Sequence, residues 1–206
     1  MPLVSPSQEF DQSVFPLSKH IVGFDEVGRG CLAGPLVVAA VVLPTKLDLP
    51  DPYGDSKALK EPYRTSVADF IKKNAIEYSI VRIENVLIDR IGITKCLEYA
   101  YEKSIRRLSG PIDGIILDGR QLNNKLSFPQ QAVIQGDTKS AAVAAASIIA
   151  KVYRDRLMTQ LSLTYPHYGF ELHKGYGTQL HRQKLREYGP CVLHRLSFLG
   201  NYDVFS

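Results

Sequence analysis

What this 206-residue chain has little of narrows its class first. Its three cysteines (Cys31, Cys96 and Cys191) are odd in number, widely spaced and without a C-x-x-C pair. That excludes a zinc ribbon or a full disulfide framework and fits a reducing cytosol. Long hydrophobic runs are missing as well: the longest, residues 36–43, is too short to span a bilayer. The first residues lack the basic and apolar stretches of a secretory signal, so a soluble cytoplasmic protein with no membrane partner is expected. Net charge is small, since 25 Lys and Arg against 21 Asp and Glu leave +4. This excludes an acidic disordered tail and does not by itself argue for nucleic acid. Fifteen Gly and 12 Pro exclude collagen-like and low-complexity classes. What is present is 45 % hydrophobic residues in a chain of one-domain length. Such a domain buries roughly 70 % of its unfolded surface and needs no disulfide or structural metal.

Residues 1–19, polar and holding Pro2, Pro6 and Pro16, read as a flexible extension. A catalytic α/β domain is expected over residues 20–163. Its first strand, residues 20–24, runs into Asp25 and Glu26. The β-branched run at 36–43, bounded by prolines, is expected to be a buried strand. A helix follows at 61–74, with Pro62 acceptable in its first turn, then strand character at 75–82. Helix is expected from about residue 84 to 108 with a break at Gly92, and strands at 114–117 and 131–135. Residues 138–163 read as a long helix whose first half is small or apolar all round and must therefore be buried. This order implies a mixed sheet flanked by helices. Residues 164–206 read as a helical, basic C-terminal portion packed on the domain. Between 151 and 195, eight Lys or Arg face three acids, a net of +5, so the remaining residues sum to −1.

The acids sit at strand ends. Asp25 and Glu26 close the first strand, Asp118 closes the 114–117 strand, and Asp137 follows the 131–135 strand. Ligands bind at such ends in α/β sheets. Carboxylates gathered there repel one another unless cations lie between them, and hard oxygen donors suit Mg²⁺ or Mn²⁺. Two such ions are the usual machinery for cutting phosphodiesters. The plainer readings are a turn at Asp118-Gly119 and a helix N-cap at Asp137. There is also a geometric objection: adjacent strand residues face opposite ways, so Asp25 and Glu26 share a site only where the strand bulges or ends, or where a carbonyl contributes.

Gly28-x-Gly30-x-x-x-Gly34 has a partial likeness to a dinucleotide fingerprint. That reading fails because Pro35 leads into a strand rather than a helix, and the two acids would repel a pyrophosphate. The better reading is a tight backbone segment with exposed N–H and C=O groups, carrying Arg29 as a phosphate partner. Cys31 directly after it is either a small buried filler or an exposed thiol open to reagents.

The stretch Asp25-Glu26-Val27-Gly28-Arg29-Gly30 with Ala33-Gly34-Pro35 resembles the signature of bacterial type 2 ribonuclease H (ribonuclease HII). The resemblance continues through Asp55-Ser56-Lys57, Leu117-Asp118-Gly119, Gly136-Asp137-Thr138 and Ala145-Ala146-Ser147 to Lys151-Val152 with Arg154-Asp155. Tyr168-Gly169-Phe170, His173-Lys174-Gly175-Tyr176 and Arg195-x-Ser197-Phe198 complete it. It implies a ribonuclease H fold with a five-stranded mixed sheet and a helical C-terminal portion. It further implies a monomeric endonuclease that cuts RNA in RNA–DNA hybrids and single ribonucleotides embedded in DNA, using two Mg²⁺ or Mn²⁺ ions. Position by position, Asp25, Glu26, Asp118 and Asp137 match the catalytic metal-binding acids. Gly28, Arg29 and Gly30 match the loop that senses the ribose 2′-OH through its backbone. Tyr176 matches a tyrosine packing on the sugar at the RNA–DNA junction, and Ser56, Lys57 and Lys174 fall in phosphate-contacting stretches. The histidines lack zinc spacing and read as packing or phosphate contacts. Two other classes stay open: a non-catalytic nucleic-acid-binding module, and a DNA junction resolvase of the same fold.

Overall fold

A strand buried on both faces shows no polar alternation, and β2 (Leu36–Val42) is such a strand, with all seven residues buried. In this computed structural model, which describes residues 6–119 and 126–200, β2 lies next to the centre of a five-stranded mixed sheet. The order is β3-β2-β1-β4-β5. β1 (Ile21–Val27) pairs antiparallel with β2, and β2 antiparallel with β3 (Glu77–Ile83). β4 (Gly114–Asp118) and β5 (Gln130–Val133) run parallel to β1. The sheet therefore brings the C-terminal ends of β1 and β4 side by side, which is what the acids need.

Helices cover both faces, and the side chains of β2 divide between them. Val37, Ala39 and Val41 pack with α2 (Glu61–Asn74) and α5 (Ala141–Thr164). Leu36, Val38, Ala40 and Val42 pack with α3 (Asn85–Ile91) and α4 (Ile93–Ile105). Gly92 breaks the helical stretch as expected, with φ 81°. The Ala-rich first half of α5 is buried throughout, as its composition demanded. The contact is close enough that a Cβ on Gly23 of β1 would lie 2.1 Å from the Ala142 carbonyl carbon.

Two expectations are corrected. Part of the stretch read as a flexible extension is helical: α1 (Gln8–Val14) is capped by Ser7 and docks Phe10, Val14 and Phe15 onto Ile21, Ile116, Val133 and Val143. Residues 1–5 lie outside the described residues. The long helix starts at Ala141, not 138, because Ser140 is its N-cap and accepts from the Val143 amide at 3.1 Å. Asp137 is therefore not the cap; it sits in a single 3₁₀ turn, Gly136–Thr138. Beyond α5 the chain is built of short pieces: α6 (Phe170–His173), α7 (Gln179–Tyr188) and α8 (Leu196–Leu199). Among the described residues no helix is long and apolar enough to cross a membrane.

Candidate active site

At the C-terminal ends of β1 and β4 lies an open cleft of about 420 Å³. It is lined by Asp25, Glu26, Gly28, Arg29, Gly30, Ser56, Lys57, Asp118 and Tyr176, all expected from sequence, and by Val27, Ser147 and Lys151. Strand alternation holds through the two adjacent acids. The register Asp25↔Ala39, Glu26↔Val38 is unbroken, so the strand does not bulge. Asp25 faces α5, where Ser147 stands close enough to favour its charged form. Glu26 faces α4, where the Tyr101 hydroxyl donates to its Oε2 at 2.9 Å. Both border one cleft because β1 ends there.

The acids are held in an environment that disfavours their charge. Burial pushes the Asp25 carboxyl up to about 8. The charges of Glu26 and Asp118 add to the rise, while Ser147 and the hydrogen bond from the Glu26 amide oppose it. Burial likewise raises Glu26, against the Tyr101 hydrogen bond and the Arg29 charge, with Arg29 Nη1 3.5 Å from Glu26 Oε1. Asp118 Oδ1 accepts the Gly136 amide at 2.6 Å, which ties the turn carrying Asp137 to the end of β4. Asp137 itself stands at the rim beside Asp118 rather than in the lining. Burial and the Asp118 charge raise it, and Lys57 opposes.

Among the described residues, no three of His, Cys, Asp or Glu are gathered into a ready-made metal cage. Asp25, Glu26 and Asp118 each accept a hydrogen bond from the protein. Buried carboxylates that raise one another's proton affinity and share hard oxygen donors fit a divalent cation, which would relieve that repulsion.

The glycine loop is held from behind. Arg154 of α5 and Arg195 before α8 are both fully buried. Arg154 donates to the carbonyls of Pro35 (2.9 Å), Ala33 (3.1 Å) and Lys174 (2.7 Å). Arg195 donates to those of Gly34 (2.9 and 3.1 Å) and Arg29 (2.9 Å). Gly28 has φ +87°, and a Cβ there would lie 2.2 Å from Arg154 Nε, so only glycine fits. Among the described residues the Arg29 and Gly30 amides have no hydrogen-bond partner, and a Cβ at Gly30 would meet nothing within 4 Å. The loop thus brings two residues with unpartnered backbone donors to the cleft lining. Cys31 is fully buried, with its thiol pushed up by burial; the exposed-thiol reading is corrected to that of a filler.

Ser56 is buried, its Oγ 3.0 Å from Ser147 Oγ, while Lys57 is exposed at the cleft. Lys174 is not brought to the cleft. Its ammonium donates to Thr159 Oγ1 and the Glu171 carbonyl, both at 2.7 Å, because the left-handed backbone at residue 174 (φ 51°) turns the side chain back onto α5. Sequence reasoning missed Ser147 and Lys151 as lining groups although both lie in the quoted Ala-Ala-Ser stretch. Nothing in the sequence pointed to Tyr101.

Residues 22–200 match the family Ribonuclease HII. The chain belongs to the ribonuclease HII family. A ribonuclease HII of Clostridium tetani is 45 % identical over 198 residues, covering 94 % of this chain and 72 % of that protein. The ribonuclease H2 structure from Pyrococcus horikoshii OT3 superposes with a TM-score of 0.76 at 24 % identity, over 89 % of this chain and 96 % of that one. Bst-RNase HIII, solved in complex with Mn²⁺, matches with a TM-score of 0.70 at 20 % identity, over 92 % and 70 % of the two chains. These likenesses establish the ribonuclease H-like fold, and membership of the family makes the chain a ribonuclease H, a metal-dependent endonuclease.

Proposed function

We propose that this ribonuclease H hydrolyses the RNA strand of RNA–DNA hybrids and cuts at single ribonucleotides embedded in duplex DNA. It would work with two Mg²⁺ or Mn²⁺ ions held by Asp25, Glu26, Asp118 and Asp137. The observation that carries the reading is the meeting of Asp25, Glu26 and Asp118 with the Gly28–Gly30 backbone and Tyr176 in one cleft. Metal ions bound there would supply activation of a water and charge stabilisation at the scissile phosphate.

The chain's own residues do the rest. The free amides of Arg29 and Gly30 are donors for a 2′-oxygen, the group that separates RNA from DNA. Tyr176 is partly exposed beside them, its ring 5.7 Å from the Arg154 guanidinium carbon, and is available to pack against a sugar. Ser56 and Lys57 also line the cleft, and the exposed Lys57 is available to a phosphate. The basic residues of the C-terminal portion add sequence-independent attraction that weakens with salt.

The deciding assay compares a DNA duplex with one ribonucleotide, a long RNA–DNA hybrid and a four-way DNA junction, in Mg²⁺ and in Mn²⁺. Cutting of the first two is expected. Preferential cutting of the junction, or binding without cleavage in either metal, would replace the reading. Tyr176→Ala is expected to slow cutting at the embedded ribonucleotide about tenfold, the equivalent of ~1.4 kcal/mol, and to slow long-hybrid cutting much less. An equal loss on both would remove the junction role.

A further inference from the structure

Behind Tyr176 lie three buried histidines that the proposed chemistry does not use: His173, His181 and His194, none more than 7 % exposed. They come from α6, α7 and the segment before α8. The rings of His173 and His181 are stacked, with centroids 4.2 Å apart, and both meet Phe170 edge-on. His194 packs against Phe170 and Tyr168.

For three neutral rings the hydrogen bonds select one protonation pattern. A carbonyl can only accept, so His173 carries its proton on Nε2, which faces the Tyr168 carbonyl at 2.8 Å. Its Nδ1 is then bare and accepts the Gly175 amide at 3.2 Å. By the same rule His181 carries its proton on Nδ1, donated to the Tyr176 carbonyl at 2.9 Å. His194 Nδ1 lies between the Cys191 amide at 2.9 Å and the Cys191 carbonyl at 3.2 Å; the closer amide can only donate, and the carbonyl already accepts the His194 amide at 3.0 Å, so Nδ1 is the bare nitrogen. His194 is therefore protonated on Nε2, which lies 3.0 Å from the bare Nε2 of His181. Every ring nitrogen has a partner of the right kind, and no ring needs a second proton. A second proton on His181 would set two N–H groups against each other at that 3.0 Å contact, or drive the His194 proton to Nδ1, against the Cys191 amide at 2.9 Å. Burial accordingly holds all three below the usual histidine range, His194 to about 4 and His181 to about 3.

The chain of bonds ends on the residues that build the substrate side of the cleft. The Tyr176 carbonyl is held by His181, and the Tyr176 amide donates to the His173 carbonyl at 2.9 Å. Gly175, fixed by His173 Nδ1, accepts the amides of Leu32 (2.8 Å) and Ala33 (3.3 Å) at the end of the glycine loop. On its other side that loop pairs with the histidine segment, Gly34 donating to the Leu193 carbonyl at 2.9 Å and Arg195 to that of Leu32 at 2.8 Å.

We infer that His194, His181 and His173 form a neutral, single-tautomer relay that fixes the position of Tyr176 against the glycine loop. The inference rests on the proposed junction role of Tyr176 for its effect on substrate choice, and on geometry alone for the relay. The three are positioning residues; none lines the cleft.

The test uses two paired substitutions. His181→Phe keeps the stack and loses the bond to Tyr176, whereas His181→Asn keeps a donor where Nδ1 stood. His181→Phe should slow single-ribonucleotide cutting about tenfold, to the level of Tyr176→Ala. Long-hybrid cutting should change about twofold or less, and His181→Asn should stay near wild type on both substrates. Nitrogen NMR at neutral pH should find protons on Nε2 of His173 and His194 and on Nδ1 of His181. His194→Phe, which leaves the Tyr176 bond in place, should keep the His181 proton on Nδ1 but free the other edge of the ring and slow single-ribonucleotide cutting, and His194→Gln, which keeps a donor there, should restore the rate; this pair serves if His181→Phe fails to fold.

Equal loss on both substrates with no rescue by Asn, or a charged or mixed-tautomer ring in the wild type, overturns the relay. If Tyr176→Ala itself shows no substrate preference, the junction role is what fails. The relay is then judged by the Tyr176 amide signal, which His181→Phe must shift and His181→Asn must leave in place.

Discussion

Replacing Asp25 by Asn is expected to abolish cleavage and to raise the melting temperature of the metal-free protein. The carboxyl is 9 % exposed, and burial pushes it up to about 8, helped by the charges of Glu26 and Asp118. A group whose folded-state value lies above its unfolded one favours the folded chain at low pH, where it is protonated in both states. That contribution is lost as pH rises from about 4 through about 8. Above that range the folded protein carries the full penalty of a buried charge, on the order of a few kcal/mol. Asn keeps the shape and sheds the charge. The gap in melting temperature between variant and wild type should therefore widen from pH 5 to pH 8.5. At roughly 2–4 °C per kcal/mol for a domain of this size, it should be readily measured by calorimetry. Millimolar Mg²⁺ or Mn²⁺ should close the gap by stabilising the wild type alone. Retained cleavage, or a gap that Mg²⁺ and Mn²⁺ leave unchanged, would remove Asp25 from the metal site, and a variant less stable than wild type at pH 8.5 without metal would remove the buried-charge penalty. Asp118→Asn should also abolish cleavage while leaving the fold intact.

Such an arrangement is legible in sequence only in part. Acids at the ends of β1 and β4, a glycine loop between β1 and β2, and an all-round apolar α5 were all readable. Each is a local pattern with a single physical cause. What sequence did not offer was direction. That Asp25 and Glu26 share a cleft from opposite faces of an unbulged strand depends on where β1 stops relative to α4 and α5. Lys174 sits in the expected motif, but a left-handed residue sends its ammonium to Thr159. α1 has only seven residues, too few to hold a helix by propensity. It forms because Phe10 and Val14 find apolar partners some hundred residues away and Asp11 accepts the Ala142 amide at 3.1 Å. The histidines were read as packing or phosphate contacts, and three of them are buried. Their tautomers follow only from carbonyls brought in by the fold.

Arg195 should show the opposite energetics from Asp25. It is fully buried, burial lowers it to about 10, and its hydrogen bonds go to the carbonyls of Gly34 and Arg29. With Arg154 it holds the loop's carbonyls, while the Arg29 and Gly30 amides, in residues that line the cleft, are left without a partner among the described residues. Arg195→Met has a similar volume and no charge to bury, yet strands the buried Gly34 carbonyl and the part-buried Arg29 carbonyl, at about 1–3 kcal/mol for a buried one and less for the other. Arg195→Lys retains the charge but not the planar fork that reaches both residues, so it should rescue little. Either substitution is expected to lower stability by about 3 kcal/mol, or roughly 6–12 °C in melting temperature. Well below that temperature, cleavage of both the hybrid and the single-ribonucleotide duplex should fall about a hundredfold, because the donors for the 2′-oxygen lose their frame. Lysine restoring both stability and rate would mean that the charge, not the fork, matters. Methionine leaving the rate unchanged would mean that the loop holds its shape without Arg195. A carboxylate whose removal stabilises the fold and a guanidinium whose removal loosens it would together divide this cleft into a side kept for chemistry at a cost in stability and a side on which recognition and stability coincide.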